Sequence, residues 1–167
     1  ENLLARCFKD SLDTDIETGF LRLTYKEAMD RFGSDKPDMR FSMELTELSS
    51  VFKDSQFKVF KGAVDSGGVV KAINAKGFAC ITTGQINHLT ETAQLHGAKG
   101  LAFIKVENGE WKSPIVKFFS EEEKSQLTEA MSIEEGDLIL FGAGDWLTVC
   151  EVLGRIRLEC ANYLKTN

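Results

Sequence analysis

The 167-residue chain sets twenty lysines and arginines against twenty-six acidic residues, for a net charge of −6, with 43% hydrophobic residues, 28% charged residues and two prolines. That composition excludes a disordered chain, and the acidic balance excludes a broad electrostatic surface for nucleic acid, so any RNA contact has to be local. No stretch approaches the roughly 18 apolar residues of a membrane span, and "ENLLARCFKD" lacks the basic and apolar regions of a signal peptide, which points to a cytoplasmic protein. Cys7, Cys80, Cys150 and Cys160 are scattered as free thiols in a reducing compartment would be. The opening on Glu1 reads as a piece of a longer chain.

In chain order, Leu3, Leu4, Cys7, Phe8 and Leu12 stand near helical spacing, and "DTDIETG" breaks the helix they predict. "FLRLTY" alternates as a short strand. Thr24 and Glu27 form a capping box for "YKEAMDRF", which Gly33 stops in the left-handed cap position. A short helix is expected between Phe41 and Ser55. "SQFKVFKGAV" and "GGVVKAINA" read as a β-hairpin turning at "DSGG". Ile86, Leu89, Ala93 and His96 then recur at helical spacing, with Gly97 as the stop. "GLAFIKVENGEWKSPIVKFF" reads as a second hairpin turning at "ENGE". Ser120 with Glu123 opens another helix, "GDLILFGAG" is a buried strand, and a long helix follows with Leu147, Val149, Val152, Leu153, Ile156, Cys160 and Tyr163 on or near one face. Consecutive hairpins with intervening helices predict an α+β domain, a largely antiparallel sheet covered by helices.

The residues offer little catalytic chemistry. His88 and His96 lie eight residues apart on one predicted helix, about 12 Å, too far to share an ion, and Cys150 and Cys160 are farther apart still. No GxSxG elbow, Walker A or GxGxxG motif is present, and the glycines of "DSGGVVKA", "HGAKGLA" and "LFGAGDW" suit turns and helix ends. Lys99 in "GAKG" sits where a basic group complements a helix end. No catalytic, cofactor-binding or metal-binding residue is therefore assigned. Lys53, Lys58, Lys61, Lys71 and Lys76, on or beside the first predicted hairpin, are the candidates for contact with RNA phosphates, against a plain solvated sheet surface.

"RFGSDKPDMRF" is the densest polar segment. Ser34, Asp35 and Asp38 are suited to bond nearby backbone donors, while Pro37 fixes one torsion and extends Lys36. Arg40 has Asp35, Asp38 or another domain as partners. A structural joint made of Gly33, Ser34, Asp35, Lys36, Pro37, Asp38 and Arg40, or a substrate loop, both fit this chemistry.

"LTYKEAMDRFGSDKPDMRF", "MELTELSSVFKDSQFKVFKGAV", "HGAKGLAFIKV" and "SPIVKFF" resemble, in order and spacing, the bacterial-type aspartyl-tRNA synthetases, from about Glu1 to about Leu164. They are similar to the end of a stretch of the class II catalytic domain and the large insertion after it, the GAD domain. The resemblance implies a division into residues 1–40 as flanking catalytic-domain segment, 41–143 as GAD-type insertion, and 144–167 as a C-terminal helix closing the insertion. It implies a two-layer, DCoH-like sheet with helices on one face, built from repeated hairpin plus helix. It makes the "GSDKPD" segment the crossing between the two parts, and leaves residues 1–40 without part of their packing surface.

By the same resemblance the parent enzyme uses ATP and magnesium to activate aspartate and charge tRNA-Asp. The signature arginines, the aspartate-binding segment and the anticodon-binding barrel of that family have no counterpart in this chain. The segment is then an accessory module near the tRNA acceptor end, inactive alone and monomeric, from a parent that is a homodimer. A freestanding interaction module, or the GAD domain of a tRNA-dependent amidotransferase, is the alternative. "INAKGFACITTGQINHL" departs from the family by replacing a more basic helix start with Lys76 and Thr82 to Gln85, which weakens an inherited tRNA contact. The Gly-Ala-Asp that names the domain reads here as "FGAGDW", with Gly144 intervening before Asp145.

Overall fold

In the computed structural model, which describes residues 1–166, the elements run α1 (Asn2–Leu12), α2 (Tyr25–Phe32), β1 (Thr46–Glu47), α3 (Ser49–Phe52), α4 (Lys58–Asp65), β2 (Val69–Ala75), α5 (Thr83–Leu95), β3 (Ala102–Glu107), β4 (Glu110–Lys112), α6 (Glu121–Met131), β5 (Leu138–Gly144) and α7 (Trp146–Thr166). The sheet order is β1-β2-β5-β3-β4 and every neighbouring pair is antiparallel. The α+β class with a mainly antiparallel sheet is the one expected. β5, last in the chain, fills the centre, so its residues are apolar on both sides.

Helices cover both faces of that sheet, where the resemblance implied one. Ile73, Leu138 and Leu140 point to a core built with α2, α5 and α7, including Met29, Leu89, Val149 and Leu153. Their strand neighbours Val70, Ala72, Ile139 and Phe141 point the other way, to Phe52, Phe60 and Leu127 of α3, α4 and α6. Aromatic rings knit the second core: Phe52 meets Phe60 edge-on with centroids 4.8 Å apart, and Phe60 lies 5.4 Å from Phe141.

The first predicted hairpin does not exist. Its first half is α4, because Phe57, Phe60 and Val64 recur at three and four residues and turn one helical stripe into the second core. β2 instead takes β1 and β5 as its partners. "FLRLTY" likewise contains no strand and leads without regular structure into α2. The second hairpin is real: Val106 opposes Trp111 around Asn108 and Gly109, whose φ of 59° and 74° suit a tight two-residue turn. It is shorter than predicted, since "SPIVKFF" ends in a 3-10 turn at Val116–Phe118 rather than a strand. Both predicted capping boxes close, Thr24 with Glu27 and Ser120 with Glu123, and Thr82 with Gln85 makes a third.

Packing divides residues 1–40 near Thr24. α1 has no buried residue, and Leu3, Leu4, Phe8 and Leu12 are exposed, whereas Ala28, Met29 and Phe32 of α2 are core. α2 reaches α7 at a contact between two backbones. A Cβ on Gly33 would fall on the Cys150 carbonyl and 2.7 Å from Gly154 Cα, and one on Gly154 would lie 2.5 Å from the Gly33 carbonyl oxygen. Gly33 also carries the left-handed cap of α2, at φ 68°.

Gly154→Ala is therefore expected to lower stability by about 2 kcal/mol or more, because neither backbone can yield without moving a helix. Gly62→Ala, at a helical position whose Cβ meets nothing, should be neutral or stabilise by up to about 1 kcal/mol. Urea unfolding of the two variants checks the contrast.

Candidate functional site: the segment between α2 and β1

Asp30, on the last turn of α2, gathers three donors. Lys71 Nζ reaches its carboxylate at 2.8 Å, Trp146 Nε1 at 2.7 Å, and Lys26 bonds it from one turn earlier. Lys71 also donates to the Asp30 carbonyl at 3.2 Å and stands 3.8 Å from Glu47. With 2% of its side chain exposed, this lysine depends on those acceptors. Burial pushes the Asp30 carboxyl up, but the bonds from Lys26, Lys71 and Trp146 outweigh it and hold the group well below the usual carboxylate range. The neighbouring Cys150 thiol is pushed up by burial.

Beyond Gly33 the chain is shaped by its own side chains. Ser34 Oγ accepts from the Lys36 amide at 3.1 Å. Asp38 accepts from the Arg40 amide at 3.0 Å and from its guanidinium at 2.9 and 2.6 Å, so Arg40 pairs with Asp38 and not with Asp35. Arg40 and Lys36 face solvent, while Pro37 and Asp38 are half-buried. Arg31 forms a second fork with Glu44, at 2.8 and 2.7 Å, and its carbonyl accepts from the Leu45 amide.

The segment is fastened from the other end of the sequence. Arg157 of α7, 1% exposed, donates to the carbonyls of Asp38 at 2.8 Å, Phe41 at 3.0 Å and Met43 at 3.0 Å. Its guanidinium lies 4.0 Å from the Phe41 ring centre and 5.1 Å from that of Phe32. Among the described residues these three carbonyls have no other donor. Burial pulls the Arg157 pKa below its ordinary value, against the pull of Asp38 and Glu44. Sequence reasoning missed this residue. The signal was an arginine next to Ile156 inside the apolar stripe of the last helix.

The five candidate lysines do not form one surface. Lys53 and Lys58 are exposed at the end of α3 and the start of α4. Lys61 donates to the Lys53 carbonyl at 3.0 Å and lies 3.9 Å from Asp65. Lys71 is buried at the Asp30 node, and Lys76 bonds Asp137 at 3.0 Å and Glu134 at 3.2 Å. Strand alternation grouped them only on a hairpin that is not there. Asp137 in turn is pushed up by burial but held below its ordinary range by bonds from Asn74, the Glu134 amide, Lys76 and the Gly77 amide.

Among the described residues no three His, Cys, Asp or Glu side chains cluster as metal ligands. His88 Nδ1 bonds the Tyr163 hydroxyl at 2.8 Å, and His96 Nδ1 lies 2.8 Å from the Thr92 carbonyl. Asp145 has a structural task, accepting from the Leu147 and Thr148 amides at 3.1 and 3.2 Å as the cap of α7. The arrangement fixes one segment against another; it presents no nucleophile, base and orienting group in series.

The sequence model of the GAD domain family matches residues 60–153, from α4 into α7, and the chain belongs to that family. Over 165 residues, 99% of its length, it is 56% identical to the aspartate–tRNA(Asp/Asn) ligase of Opitutus terrae. It is 53% identical over 161 residues to the corresponding ligase of Thermodesulfovibrio yellowstonii, and 49% identical over 160 residues to the aspartate–tRNA ligase of Halalkalibacterium halodurans. The chain spans 27 to 28% of the length of these relatives.

Removing the Arg157 head group should unfasten the segment. Arg157→Met is expected to cost about 3 kcal/mol, since the carbonyls bonded to the buried guanidinium lose their donor. Arg40→Ala, which removes a guanidinium that is itself exposed, should cost far less than Arg157→Met. A pH series tests the carboxylates. The Asp30, Asp38 and Asp137 groups sit below their unfolded values in the folded chain. Their contribution is therefore complete above about pH 4 to 5 and drains as pH falls through the lower folded-state values. Urea midpoints between pH 7 and pH 3 should fall, and Asp30→Asn should flatten that fall.

Proposed function

We propose that the chain works inside an aspartate–tRNA ligase as an accessory domain that fixes the arrangement of the catalytic part next to it, and that it is inactive alone. On this reading residues 1–40 belong to the flank of the catalytic domain, 41–143 form the insertion, and 144–167 close it and lead back. The observation that carries the reading is the Arg157 clamp. A residue from the closing helix holds the carbonyls of Asp38, Phe41 and Met43, so the two ends of the insertion are tied where they meet the flank. The Gly33 to Gly154 contact supports the same point.

The parent reaction is then ATP, L-aspartate and tRNA-Asp giving aspartyl-tRNA in the cytoplasm. ATP and magnesium are held by the parent's other domains, and the homodimer forms outside this monomeric segment. The similarity to ligases extends through residues before the matched GAD region, which favours a ligase over a freestanding module or an amidotransferase domain. Arrangement is preferred to direct acceptor-end contact because Lys71 and Lys76 are committed to carboxylates. Lys53 and Lys58, exposed together, favour a secondary RNA contact on the surface of α3 and α4.

In a full-length ligase carrying this segment, Arg157→Met should lower the kcat/KM for tRNA charging more than that for aspartate-dependent ATP–pyrophosphate exchange. Equal loss of both would count against a role in arrangement. The isolated chain should show no exchange, and across a salt series it should bind tRNA-Asp no better than an unrelated tRNA. Preferential binding with a steep salt dependence would instead establish the RNA contact.

A further inference from the structure

Two turns and the end of the central strand meet at one place. Ser66 to Gly68, Gly97 to Lys99 and Gly142 to Asp145 line a single cleft of 690 Å³, walled by Val59, Gly62 and Ala63 of α4 and by Thr148 and Val149 of α7. The cleft lies at an interruption in the sheet. β5 pairs with β2 as far as Gly144, but with β3 only from Leu138 to Phe141, where Ala102 is the last partner. The Val106 amide bonds the Asp137 carbonyl, so the groups of β5 that face β3 come from every second residue onward, at 139, 141 and 143. At Ala143 the neighbour has left, and among the described residues its amide and carbonyl on that side have no partner. The slot between α4 and α7 is thus where a further length of strand beside β5 would lie.

We propose that this slot takes an extended peptide strand from another polypeptide, hydrogen-bonded to the main chain of Ala143, with aliphatic side chains toward α4 and α7 and a carboxylate at Lys99. A strand supplies the missing donor and acceptor together, in the spacing an open sheet edge requires. The walls are aliphatic at Val59, Ala63 and Val149. Lys99, exposed on the lining, has no ion pair among the described residues, so it is the charge left for the incoming segment to meet. A phosphate or nucleotide suits the cleft less well, since it would bring two negative charges against the single Lys99 beside the Asp145 carboxylate, and the Leu147 and Thr148 amides at the start of α7 are already taken by that carboxylate.

The test titrates the ¹⁵N-labelled chain with the acetylated tetrapeptide Val-Ala-Val-Ile, as free acid and as amide, with AMP as the nucleotide probe. The free acid should shift the amides of Gly142, Ala143 and Gly144 and slow hydrogen exchange at Ala143. Gly62→Leu directs a side chain into space where a Cβ meets nothing, and should abolish those shifts while the rest of the spectrum stays folded. Lys99→Ala should weaken the free acid by about two- to five-fold, the range of an exposed ion pair, and leave the amide unchanged. No response at Ala143 to millimolar peptide, peptide binding that survives Gly62→Leu, or a response there to AMP alone would overturn the proposal.

Discussion

Close approach of α2 and α7 is the constraint from which the site follows. Helix axes normally stay 8 to 10 Å apart because side chains separate them. At Gly33 and Gly154 there is no side chain, and the two backbones touch. Because Gly33 is also the left-handed end of α2, the chain leaves that helix already against α7 and has to run along it. Arg157 lies one turn further along α7, and from there its guanidinium meets successive carbonyls of the departing segment. The glycine contact sets the distance and the arginine supplies the donors that the irregular backbone lacks.

The Asp30 node completes the fastening on the other side of α2. A buried lysine on β2 and the first indole of α7 both end on the same carboxylate, so α2, the sheet and α7 share one polar centre. Such a centre adds little net stability over an apolar equivalent, since desolvation offsets the attraction. What it imposes is position. Each donor would be left unsatisfied if α2 rotated about its axis, whereas the apolar contacts of Met29 and Phe32 alone would tolerate a turn. Directional bonds of this kind fix α2, the sheet and α7 relative to one another more sharply than added burial would.

Much of the fold was legible because its signals are local. Thr24 with Glu27 and Ser120 with Glu123 satisfy backbone donors within four residues, and Asn-Gly at 108 and 109 needs only its own torsions. α4 was not legible. Phe57, Val59 and Lys58 alternate as a strand does, while Phe57, Phe60 and Val64 recur as a helix does, and only the phenylalanine cluster on the sheet decides between them. The segment after α2 was half legible. The bond from Ser34 and the Arg40 to Asp38 fork follow from neighbouring residues, but the clamp joins positions more than a hundred residues apart. No pattern within "GSDKPDMR" points to Arg157.

The lysines illustrate the cost of a wrong element. Once α4 replaces the strand, Lys58 and Lys61 lie on a helical surface with Lys53, while Lys71 turns inward because β2 is covered on both faces and its residue at that register faces α2. A charge placed on a covered strand has to be answered within the protein, and Asp30 and Glu47 answer it. The same covering explains why the five candidate lysines do not share one face. The sheet faces that could have aligned them are both core, and of the five candidates Lys53 and Lys58 are left exposed at the end of α3 and the start of α4.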